Sequence, residues 1–174
     1  MEAAAVEAAP AKINLALHVT GRRPDGYHTL ESLVVFTDLG DELEATPAAS
    51  DTLRVTGPFA SAVGNGDTNL VLRAVRAFRE RWPGRAPEGL SLSLQKNLPV
   101  AAGLGGGSAD AAAALRLIAG LASTPVPESE LQALALTLGA DVPACLLSRP
   151  CELVGILLRN RSRAPAIQRL PSAG

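Results

Sequence analysis

Apolar and polar positions alternate cleanly along residues 11–19, AKINLALHV. Ile13, Leu15, Leu17 and Val19 fall on one side and Lys12, Asn14, Ala16 and His18 on the other, a period of two that predicts a strand with one buried face. Lys12 and Asn14 then lie side by side on the polar face, roughly 7 Å apart at a strand rise of about 3.3 Å per residue. Pro24, Asp25 and Gly26 follow as turn chemistry, so Tyr27 and His28 emerge from a tight reversal. Residues 30–39, 41–46 and 52–57 read as three further strands, the last two parted by the loop 47–51. Asp67 or Thr68 can cap a helix through residues 69–82, where Leu70, Val71, Ala74, Ala77 and Phe78 form a core stripe and Pro83-Gly84 ends it.

Residues 90–99 alternate again, with Leu90, Leu92 and Leu94 on one face. A glycine-rich turn then runs into an alanine-rich helix through about residue 121. After the breaker STPVP a helix covers 128–138 and stops at Gly139, and a short helical turn begins near Asp141. Beyond about Ser148 the periodicity is lost, and RNRSRAPAIQRLPSAG reads as loop or disorder.

Composition narrows the functional classes. The 174 residues are 47% hydrophobic and 19% charged, which suits one globular domain. Five aromatic residues are too few for a platform that stacks single-stranded nucleic acid, and a net charge of -1 does not favour binding a duplex. Cys145 and Cys151 make neither a disulfide framework nor a zinc site. The N-terminus lacks the basic segment of a secretory signal, and no run of 18 apolar residues occurs. No nucleic-acid or membrane partner is expected, and the expected location is cytoplasmic. Charge is uneven, however. Residues 1–148 hold 11 basic and 16 acidic side chains (-5), while 149–174 hold five arginines and one acid (+4).

The strongest chemical signal is Gly103-Leu-Gly-Gly-Gly-Ser108, between a strand and a helix. Glycines let backbone N–H groups converge on an anion, and the helix that follows adds the partial positive charge of its N-terminus. A flexible connector would also be glycine-rich, but it has no need of a capping Ser108 and an immediate helix. A Walker A reading is weakened because no lysine follows these glycines. The dinucleotide pattern fails at its sixth position, Ser108, and Glu128 opens a helix where an acid closing a second strand is required.

Pro99-Val-Ala-Ala-Gly-Leu-Gly-Gly-Gly-Ser-Ala109 resembles the phosphate-binding motif of the GHMP small-molecule kinases. Within them, AKINLALHVTGRRPDGYHTLESL and LTLGADVPACL are similar to the 4-diphosphocytidyl-2-C-methyl-D-erythritol kinases of the non-mevalonate isoprenoid pathway. The resemblance covers roughly residues 9–148 and implies an α+β fold, that of a GHMP kinase N-terminal domain, ribosomal protein S5 domain 2-like, with a mixed sheet packed against helices. It implies phosphoryl transfer from ATP, with Mg²⁺, to the 2-hydroxyl of the methylerythritol unit of a small-molecule substrate. Asp141 is then the general base and Lys12 its partner. Pro99, Val100, Ala101, Ala102, Gly103, Leu104, Gly105, Gly106, Gly107, Ser108 and Ala109 form the nucleotide cradle, with Ser108 near the phosphates or Mg²⁺. Asn14, Tyr27 and His28 match substrate positions, the last two on the cytidine side. Read from its own neighbours, Asp141 is a helix N-cap and His28 a turn histidine, and Lys96 either faces the nucleotide or ends a strand in solvent.

The resemblance stops where the charge changes sign. Residues 1–148 are expected to be the ATP-binding domain and 149–174 a non-matching basic tail. The family's second α/β domain, with a further glycine-rich motif, has no counterpart there. A frameshift or a premature end of the reading frame is the expected cause, and impaired transfer its consequence. A nucleotide-binding remnant without catalysis is the alternative, and a dinucleotide-binding oxidoreductase a more distant one.

Overall fold

A long hairpin organises the sheet. In the computed structural model, which describes the backbone of residues 4–22, 28–154 and 157–159, β1 (Ala5–Arg22) pairs antiparallel with β2 (His28–Ala48), from Ala5 opposite Ala45 to Arg22 opposite His28. β2 runs unbroken through the segments read above as two strands, because β1 pairs with both, reaching Gly40 opposite Pro10 and resuming at Phe36 opposite Lys12. The far edge of β2 is shared. Its C-terminal part, Glu42–Ala48, pairs antiparallel with β4 (Gly89–Gln95), and β3 (Thr52–Thr56) adds to β4 in parallel.

The remainder of that edge corrects an expectation. Glu31–Val34 of β2 pair with β5 (Cys151–Val154), which pairs in turn with β6 (Leu157–Arg159). Residues read as irregular are therefore strand, and an open edge with unpaired N–H and C=O groups supplies the reason. A four-residue strand has little periodicity of its own to reveal it. Among the described residues only β3 and β4 pair in parallel. This mixed sheet is not the parallel, doubly wound one that a dinucleotide-binding oxidoreductase of that type requires.

The hairpin also overturns the predicted face of β1. Leu15 and Leu17 are 58% and 57% exposed, whereas Ala11 and Lys12 are both buried. The ladder is irregular between Pro10 and Lys12, Asn14 and Ala16, and Val19 and Gly21. Such bulges insert an unpaired residue and re-aim the side chains around it, so simple alternation fails.

Four helices cover one side: α1 (Leu70–Arg81), α2 (Gly106–Gly120), α3 (Glu128–Leu138) and the six-residue α4 (Val142–Leu147). Asn69, not Asp67 or Thr68, caps α1 by accepting from the Val71 N–H. Its buried stripe is Val71, Ala74, Val75 and Phe78, with Leu70 and Ala77 only half-buried. α2 is central. Ala109 and Ala111–Ala114 are all buried, and such small side chains let the helix lie close to β1, β2 and the other three helices. No helix among the described residues is long and apolar enough to cross a membrane.

Candidate active site

The loop from Lys96 to Gly105 joins β4 to α2, and its backbone is bent to fit. Ala101, Gly103 and Gly105 have φ of 59°, 75° and 65°, the left-handed region that an alanine enters at a cost of roughly 1–2 kcal/mol. Gly105, not Ser108, is the residue before the helix, and Ser108 is the third residue of α2 with no capping role. The first helical bond runs from the Ala109 N–H to Gly105 O, 2.9 Å. The N–H groups of Gly106, Gly107 and Ser108 precede it and have no partner within the helix, the usual makings of an anion site.

A cavity of about 430 Å³ opens over these groups, lined by residues 62–64, 68–70 and 99–108 with Lys96 and Asp110. Ten of the eleven expected cradle residues, 99–108, line it; Ala109 is buried in α2 instead.

β1 props the loop from beneath. The Lys12 N–H donates to Leu104 O at 2.9 Å. A Cβ on Gly105 would come within 3.2 Å of the Lys12 Cβ and Cε, so glycine is needed here for its open side as well as for its φ. The Lys12 side chain, 5% exposed, ends 2.9 Å from Asp141 Oδ1. Its Nζ also donates to Asn14 Oδ1 at 2.8 Å, and Asn14 Nδ2 donates to Ser32 Oγ at 2.9 Å. Asp141 occupies the N-cap position of α4 but makes no side-chain capping bond, and it stays 42% exposed. Of its two readings the capping one is therefore set aside. Lys12, Asn14 and Asp141 form one hydrogen-bonded chain beside the loop. Tyr27 lies outside the described residues, and of His28 only the backbone, at the start of β2, is described.

Lys96 is not a solvated strand end. Its Nζ sits 2.5 Å from Asp41 Oδ2 and 2.6 Å from Asp110 Oδ2, with all three side chains at most 5% exposed. Asp41 Oδ1 accepts from the Asn97 and Leu98 N–H groups, which fixes the start of the loop. Burial pushes the Asp110 carboxyl up to about 7 against the opposing pull of Lys96, and its Oδ1 has no partner. Asp41 and Asp110 escaped the sequence reading. The signal available was a lone acid inside an alanine run, ADAAAALRLI, at a position that packs inward. Burial also pushes the Cys145 thiol up to about 12, which leaves it inert beside Asp141.

No three His, Cys, Asp or Glu side chains converge to hold a metal among the described residues.

Comparison with known proteins finds similar chains. The GHMP kinases N terminal domain family matches residues 69–149. A 4-diphosphocytidyl-2-C-methyl-D-erythritol kinase of Rhizobium etli (strain CIAT 652) is 54% identical over 150 residues, covering 86% of this chain and 50% of that protein. One from Agrobacterium fabrum is 52% identical over 155 residues, covering 87% and 52%. A crystal structure of 4-(cytidine 5'-diphospho)-2C-methyl-D-erythritol kinase superposes with a TM-score of 0.72 at 41% identity, over 89% of this chain and 54% of that one. The Methanococcus jannaschii mevalonate kinase shares the fold alone, at TM-score 0.64 and 12% identity over 91% of this chain and 55% of that one. The chain spans about half the length of the curated relatives it matches. It belongs to the GHMP kinases, and its sequence corresponds to the N-terminal half of the 4-diphosphocytidyl-2-C-methyl-D-erythritol kinases.

Proposed function

We propose that this chain forms the ATP-binding half of a kinase that phosphorylates the 2-hydroxyl of 4-diphosphocytidyl-2-C-methyl-D-erythritol. One observation carries the reading: a lysine–carboxylate pair, Lys12 and Asp141, 2.9 Å apart, beside the loop that leads to the three N–H groups left over at the start of α2. Those N–H groups and the α2 dipole receive the polyphosphate of ATP. Phosphoryl transfer needs little beyond placement and charge stabilisation, and these residues supply both. Asp141, held by Lys12 through Oδ1 and partly open to solvent, accepts the proton of the attacking hydroxyl. The Lys12 ammonium steadies the negative charge that develops on that oxygen. Asn14, tied to Ser32, fixes Lys12 and offers a polar edge to the substrate. Ser108, in the lining of the cavity, would help hold Mg²⁺ through its hydroxyl, and the ion when bound would offset phosphate charge. The cytidine end falls to Tyr27 and His28. A cytoplasmic setting, where ATP is available, goes with this reading.

Titrating the 174-residue protein with ATP and with substrate separately, then assaying ADP release from both together, tests the reading. Transfer supports it. ATP binding without transfer supports instead the non-catalytic nucleotide-binding module, and no ATP binding at all removes both.

A further inference from the structure

Arg116 lies on α2 but takes no part in lining the nucleotide cavity. Its guanidinium instead joins two separate elements. Toward β1 its Nε donates to Glu7 Oε2 at 2.8 Å and its Nη2 to Ala8 O at 2.6 Å. Toward α4 its Nη1 donates to Cys145 O at 3.0 Å, with Leu146 O at 3.5 Å and Ser148 Oγ at 3.4 Å. The last carbonyls of a helix lack intrahelical donors, and a cation there answers both the missing bonds and the dipole. At six residues α4 is too short to hold its shape unaided.

The two elements so joined are the ones that carry Lys12 and Asp141. Lys12 lies four residues beyond Ala8 on β1, and Asp141 is the N-cap of α4. Few other contacts bind α4 to β1 directly; α4 packs mainly on α2.

We propose that Arg116 is a positioning residue, which sets the Lys12–Asp141 distance by clamping the C-terminal end of α4 to the start of β1. Only its consequence for catalysis rests on the kinase reading, because the clamp itself is defined by the position of Lys12.

Chemistry on lysine reads that position without any turnover. The chain has two lysines, Lys12 and Lys96, and Lys96 is held by a separate buried cluster. Acylation with an N-hydroxysuccinimide ester, followed by peptide mass spectrometry, reports each one separately. Arg116→Ala is expected to speed Lys12 labelling about tenfold, the effect of freeing a contact held by a charged hydrogen bond. Lys96 labelling and ATP affinity should stay unchanged, and added methylguanidinium, unlike tetramethylammonium, which cannot react with the ester, should slow Lys12 labelling again. Lys12 rates that do not change, or that rise in step with Lys96, overturn the clamp. Should Arg116→Ala lose its folded circular-dichroism spectrum, Glu7→Gln decides on the same criterion, since it weakens only the β1 side. Selective labelling together with a failed transfer assay overturns the kinase reading alone. Unselective labelling with transfer intact overturns the clamp alone.

Discussion

Replacing Asp110 by asparagine tests the energetic account of the buried cluster. Lys96 faces two carboxylates, so the cluster carries one negative charge in excess, and the cheapest relief is a proton on Asp110, whose Oδ1 lacks a partner. Burial raises this carboxyl from 3.8 to about 7. Between those values the folded chain keeps a proton that the unfolded chain releases. Stability from this group is therefore fully present below pH 3.8, fades as pH climbs through about 7, and levels off above it. Each pKa step of one is worth about 1.36 kcal/mol, so the whole interval amounts to about 2–4 kcal/mol once Lys96 and Asp41 adjust to the charge. The asparagine keeps an oxygen for Lys96 and never ionises. Urea unfolding followed by the fluorescence of Trp82, which is buried against Phe78, measures both proteins from pH 4 to 8. The stability of Asp110→Asn relative to the parent should climb by that amount across the range. A difference that stays flat with pH refutes the reasoning, because every other titrating group is common to both chains.

Asp141→Asn should abolish transfer while leaving ATP affinity, measured by calorimetry, within about twofold, since Asp141 is outside the cavity over the glycine-rich loop. Lys12→Met should also abolish transfer, and in addition destabilise the chain by about 3 kcal/mol or less, because the Asp141 carboxylate it leaves is partly solvated. Gly105→Ala should lower stability by about 1–2 kcal/mol in urea unfolding and weaken ATP binding, as its φ of 65° is strained for alanine and its Cβ presses on Lys12. Phe78→Ala should cost about 3–5 kcal/mol, seen as a lower urea midpoint with the slope unchanged, because the ring is fully buried where α1 meets the core.

Elements with strong local periodicity were legible along the chain. α3 occupies the residues expected, 128–138, and α1 and β4 differ from expectation by a few terminal residues. The glycine-rich turn ahead of α2 was legible for a similar reason. Its glycines sit next to each other, and the conformation they permit is a property of the local backbone. The Lys12–Asn14 pairing survived as well, through the Nζ to Oδ1 bond, although the face assigned to the strand did not.

The exposed Leu15 and Leu17 show why that assignment failed. Alternation identifies a strand, but which side is buried depends on bulges, and bulges are set by the partner strand. Lys96, Asp41 and Asp110 come from three distant parts of the chain, and nothing near Lys96 signals that it is buried. β5 and β6 exist because β2 leaves an edge open to them. By itself, then, the sequence determined the helices, the glycine-rich loop between β4 and α2, and the family to which both belong. The tertiary structure alone decided which charges are buried together, and that Arg116 spans the two elements bearing Lys12 and Asp141. Local conformation follows from neighbours along the chain, whereas burial and charge pairing depend on groups brought close only by folding.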